Sequence, residues 1–146
     1  MDDPYITPDG KITWPHDDRL PLTTERRLEL AYGIPLVFRN CAHILGIDDV
    51  PAASWVDFAT RVRTHADAFL EEFRGTPSRP HDCGSLTPER RLEMIYGVSM
   101  VFRNCVHIFG VHHVPAASWV LYATCMRAEA VALLKEFSSE LPSGIV

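Results

Sequence analysis

"LTTERRLELAYGIPLVFRNCAHILG" occupies Leu22–Gly46, and "LTPERRLEMIYGVSMVFRNCVHIFG" returns at Leu86–Gly110. These stretches open a longer internal repeat. A shift of 64 residues aligns Leu22–Phe73 with Leu86–Phe137 and matches 32 of the 52 positions. Self-similarity at such a period marks a duplicated supersecondary unit. With one residue of slip, "PHD" at Pro15–Asp17 also matches "PHD" at Pro80–Asp82, so the unit takes in its lead-in loop.

The punctuation of each copy predicts two helices. Thr23 and Thr87 suit an N-cap, and Pro88 fits a first turn, where its missing amide costs nothing. Gly46 and Gly110 can end the first helix near Leu45 or Phe109. The second helix begins at Pro51 or Pro115 and runs through "AASWV" to Phe73 or Phe137. Two such hairpins, neither able to bury its broad apolar faces alone, predict an all-α four-helix bundle with approximate internal twofold symmetry.

The expected organisation is a single domain over residues 1–146. Residues 1–14 form an N-terminal arm, in which Pro8-Asp9-Gly10 suggests a small hairpin or extended strand. Residues 15–75 are the first unit, 76–79 a linker within the Pro/Gly/Ser-rich "RGTPSRPHDCGS", 80–137 the second unit and 138–146 a C-terminal tail.

With 47% hydrophobic and 23% charged residues the chain reads as globular. Its formal charge of −5 works against a phosphate backbone, so nucleic acid is not the expected partner. No apolar run approaches the roughly 18 residues of a membrane span. The opening "MDDPYITPDG" lacks the apolar segment of a secretory signal. A cytoplasmic location with no membrane partner is therefore expected. Cys41, Cys83, Cys105 and Cys125 show no Cys-x-x-Cys spacing and read as free thiols.

At about 100° per residue, Leu30, Ile34, Val37, Cys41 and Ile44 share one face of the first helix, flanked by Leu28, Phe38 and Leu45. Glu25, Glu29, Tyr32, Leu36, Arg39, Asn40 and His43 gather opposite. Cys41 and His43 point apart, so "NCAH" is neither a metal pair nor a nucleophile pair within one helix. Cys41 and Cys105 are read instead as small core residues.

Between the copies the apolar positions change, as in Leu30 to Met94, Ala31 to Ile95 and Leu45 to Phe109. The polar positions do not. Glu25, Arg26, Arg27, Glu29, Tyr32, Arg39, Asn40 and His43 recur as Glu89, Arg90, Arg91, Glu93, Tyr96, Arg103, Asn104 and His107. Exposed substitutions usually cost little, so a merely solvated face should drift as freely as a packed one. The stripe is then a structural network between helices, a binding surface, or the mark of a duplication too recent to have drifted, against which the changed apolar positions argue. In the second case Glu29, Tyr32, Arg39, Asn40 and His43, with Glu93, Tyr96, Arg103, Asn104 and His107, would meet an unknown protein or small anionic ligand.

The second helix carries a core stripe of Trp55, Ala59, Val62, Ala66, Phe69 and Phe73, matched by Trp119, Ala123, Met126, Ala130, Leu133 and Phe137. Its outer face changes character. Asp57, Arg61 and Asp67 become Leu121, Cys125 and Val131. Leu121, Cys125, Ala128 and Ala132 form a smooth stripe, expected to contact the arm or a second copy in a homodimer.

Asp48-Asp49 becomes His112-His113, and with His107 these are the nearest approach to a metal set. No carboxylate ligand accompanies them, so neither metal nor cofactor is expected. Glu-x-x-His, Gly-x-Ser-x-Gly, a phosphate-cradling loop and a dinucleotide fingerprint are all missing from the sequence. One enzymatic pattern is present. "RNCAH" and "RNCVH" on a helix of a four-helix protein resemble the Arg-polar-x-His signature of the HEPN ribonucleases, with fewer residues between arginine and histidine than that family has. The resemblance implies metal-independent RNA cleavage by Arg39, His43, Arg103 and His107, the arginines holding phosphate and a histidine moving a proton. The leading expectation is a non-enzymatic binding or regulatory protein using the stripe. The alternatives are this ribonuclease-like enzyme and a structural homo-oligomerisation module.

Overall fold

The computed structural model describes residues 23–81 and 84–139. The expected arm, the first "PHD", Cys83 and residues 140–146 of the tail lie outside them. The described chain is a bundle of four helices, α1 (Thr24–Leu45), α2 (Ala52–Glu72), α3 (Pro88–Phe109) and α4 (Ala116–Ser138). Single 3-10 turns at Ile47–Asp49 and Val111–His113 join the helices within each repeat. No strand occurs among the described residues, and no helix there is long and apolar enough to cross a membrane.

The helix ends follow the local chemistry. Thr23 Oγ1 accepts the amide of Arg26 at 3.1 Å, and Thr87 Oγ1 that of Arg90 at 3.2 Å, each satisfying one of the donors that a helix start leaves open. Gly46 and Gly110 close α1 and α3 at φ +94° and +90°, in the region that a side chain would strain. Their amides donate to Ala42 O at 2.9 Å and Val106 O at 2.7 Å.

The most extensive packing joins α2 to α4 across the two repeats, and α1 lies against α3. Aromatic rings fill the centre in pairs that recur at the repeat offset. Phe38 meets Trp55 edge-on with centroids 5.0 Å apart, and Phe102 meets Trp119 at the same distance. Phe38 stacks on Phe58 at 4.3 Å, as Phe102 stacks on Tyr122 at 4.4 Å. Between repeats, Trp55 stacks on Phe137 and Trp119 on Phe73. Each tryptophan therefore plugs into the other repeat, which is why one hairpin leaves its core half built.

Two core assignments need correction. Ile44 stands 62% exposed. It lies six residues beyond Phe38, about 120° around the helix from the fully buried ring that marks the centre of the core. Cys105 is exposed although Cys41 is fully buried, because an open groove runs between α3 and α4 and Cys105 lines it. Leu121 and Cys125 of the stripe on α4 line the same groove; Leu121 is 63% exposed, and Cys125, Ala128 and Ala132 are half-buried.

Candidate functional site

The retained polar stripes of the two repeats face each other. Arg39 Nε on α1 donates to both carboxylate oxygens of Glu93 on α3 at 2.9 Å. Reciprocally, Arg103 Nε on α3 donates to Glu29 Oε2 on α1 at 2.8 Å. The histidine one turn further along each helix reaches the same carboxylate. His107 Nε2 lies 2.9 Å from Glu29 Oε1, and His43 Nε2 lies 3.5 Å from Glu93 Oε1.

The tyrosines complete the seam. Tyr32 and Tyr96 stack with centroids 6.3 Å apart. The guanidinium of Arg39 lies over the Tyr96 ring and that of Arg103 over the Tyr32 ring, each 4.8 Å from the centroid, where the ring face attracts a cation. One spacing in the sequence explains this. Glu29, Tyr32, Arg39 and His43 fall along one side of α1, and their counterparts along one side of α3, so apposing the helices pairs each group with its complement.

The seam is half-buried, with side-chain exposures of 29% and 35% for Arg39 and Glu93 and 28% and 30% for Arg103 and Glu29. Partial burial alone would raise the Glu29 carboxyl, but hydrogen bonds from Arg103 and His107, together with their charges, outweigh it and hold the group below its ordinary range. Burial and the neighbouring Tyr96 push the Tyr32 hydroxyl up, against the pull of Arg103. Two arginines and two glutamates leave no net charge among them, so the seam presents little field to an anion. Asn40, His43, Asn104 and His107 are exposed along its outer edge.

Among the described residues no three His, Cys, Asp or Glu side chains come together as a metal set. His107 is engaged by Glu29, while His112 and His113 occupy the exposed 3-10 turn after α3. No protein-family model, curated protein or solved structure matches the chain.

A second polar cluster escaped the sequence reading. Glu129 of α4, fully buried, accepts from Arg91 Nη1 at 2.6 Å and pairs with His81 Nε2 at 2.7 Å. Arg91 Nη2 also donates to Gly84 O at 3.1 Å, so the cluster ties the segment that leads into the second unit to α3 and α4. A buried carboxylate needs such partners, since removing them would strand a charge in the core. The signal was available. Arg27 and His65 sit at the matching positions of the first repeat and meet at 3.3 Å. A polar pair kept at one spacing, with its chemistry changed from His to Glu, marks an inter-helix contact.

Proposed function

We propose that this chain is a non-enzymatic binding protein in which the Glu, Arg and Tyr groups of the seam clamp α1 to α3. The exposed Asn40, His43, Asn104 and His107 on the same face then meet a protein partner. The observation that carries this reading is the closure of each Arg-His set on a glutamate of the opposite repeat. A phosphate would have to compete with a carboxylate already in place, and each histidine shares that carboxylate with an arginine. Such an arrangement favours holding helices in register over acid-base chemistry. The exposed asparagines have no such duty within the seam, and their identity in both repeats is explained by contact with something outside the chain.

Two variants separate clamp from contact. Arg39→Ala should lower the unfolding free energy by about 1–3 kcal/mol, as for a charged hydrogen bond removed from its partner. The double variant Asn40→Ala/Asn104→Ala should stay within about 0.5 kcal/mol of wild type yet lose the partner captured by the wild-type protein through in-cell crosslinking. Cleavage of single-stranded RNA by wild-type protein in the presence of a chelator, abolished by His43→Ala, would overturn the proposal in favour of the ribonuclease reading.

A further inference from the structure

The second repeat exposes an apolar face that the first does not. Val37 is 8% exposed and Val101, its counterpart, 58%. Leu121 at 63% and Phe109 at 66% border the same groove, whose volume is about 1010 Å³. Ile108, one turn beyond Cys105 and two beyond Val101 on α3, is 79% exposed. Contiguous exposed apolar surface of this kind marks a candidate interaction site.

We infer that two copies of this chain pair through the groove between α3 and α4. The argument for a second copy is electrostatic and geometric. The chain has 19 acidic residues and a formal charge of −5, so two copies repel wherever carboxylates face each other. Among the described residues, no Asp, Glu, Lys or Arg lines the groove. Of the five positions charged in the first repeat and uncharged in the second, three lie here: Asp49, Asp57 and Arg61 of the first repeat stand where the second has His113, Leu121 and Cys125, all three lining the groove. Two acidic copies can approach there without setting carboxylates against each other, whereas a basic partner would gain from such charges.

Leu121 both lines the groove and stands 63% exposed, so about a twofold axis, the commonest symmetry of protein pairs, each copy can offer its Leu121 to the groove of the other. A small apolar molecule fits less well. Ligand pockets bury about 70–90% of their ligand, and a groove whose rim side chains are more than half exposed would leave much of it in water.

Sedimentation velocity of the full chain in reducing buffer, from micromolar to near-millimolar concentration, tests the pairing without interference from disulfide-linked species. Twice the chain mass is expected. Leu121→Asp and Val101→Asp should each shift the protein to the monomer while leaving its helical circular dichroism unchanged. Ile44→Asp, placed at an equally exposed residue of the first repeat, should leave the pair intact. A wild-type monomer at every concentration overturns the inference. So does a dimer that survives both groove variants, or one lost equally with Ile44→Asp. Should either groove variant fail to fold, crosslinking of wild-type protein decides: inter-copy peptides must join α3 or α4 to α3 or α4, and links confined to α1 and α2 would refute the pairing.

Discussion

Glu29 is the residue on which the seam turns, because it holds both Arg103 and His107 of the other repeat. Its folded-state pKa lies below the ordinary carboxylate range, so the folded protein takes up a proton there less readily than the unfolded chain. The resulting stabilisation is complete above the ordinary carboxylate pKa and drains away as pH falls through that range and below. Glu29→Gln removes the charge while nearly keeping the shape. Thermal unfolding should therefore find wild type more stable than Glu29→Gln at neutral pH, with the difference shrinking on acidification. A difference independent of pH would show that the carboxylate contributes packing and not charge. Sequence reading could identify Glu29 as one of a retained set, since Glu29, Tyr32, Arg39 and His43 recur on one stripe. It could not show that the set was its own partner, because that depends on α1 lying beside α3.

At the scale of the element, the two first helices differ where identical surroundings would be expected. Pro35 sits buried inside α1, whereas its counterpart Ser99 is fully buried in α3. Ser99 Oγ lies 3.1 Å from the hydroxyl of Tyr122 on α4, which stands where α2 has Phe58. Burial raises the Tyr122 hydroxyl far above its ordinary range, with the Ser99 bond working against that rise. Ser99→Ala should strand this buried hydroxyl and cost about 1–3 kcal/mol in urea unfolding. Ser99→Ala/Tyr122→Phe removes both polar groups and should recover most of the loss, since deleting both partners can be nearly neutral. No recovery would mean that Ser99 acts by packing. The ends of these helices were legible from Thr23, Thr87, Gly46 and Gly110, because caps are local. The unequal burial of Cys41 and Cys105 was not, because nearly identical heptapeptides meet different surroundings.

For the whole molecule, the seam and the core have one logic. The ion pairs of the seam and the two tryptophan stacks join a position of one unit to a different position of the other, and each is answered by its reciprocal: Glu29 with Arg103 and Glu93 with Arg39, Trp55 with Phe137 and Trp119 with Phe73, while Tyr32 and Tyr96, at equivalent positions, meet each other. Reciprocity of this kind is the signature of an interface between two identical subunits, here joined in one chain. Residues 15–75 expressed alone therefore lack the partner for Trp55 and leave Glu29 and Arg39 unpaired. They carry at the same time every complement that a second copy would need, since Arg39 of one copy can meet Glu29 of another as Arg103 does in the intact chain. The isolated unit should fold only as it associates, with helical content and melting temperature rising with concentration and mass doubling in step. Arg39→Glu should abolish that association by setting two carboxylates against each other, and Glu29→Arg supplied on a separate copy should restore it. Cooperative folding of residues 15–75 at a dilution where they sediment as a monomer would show that one hairpin carries a complete core, and the account of the bundle as mutual burial of two units would fail.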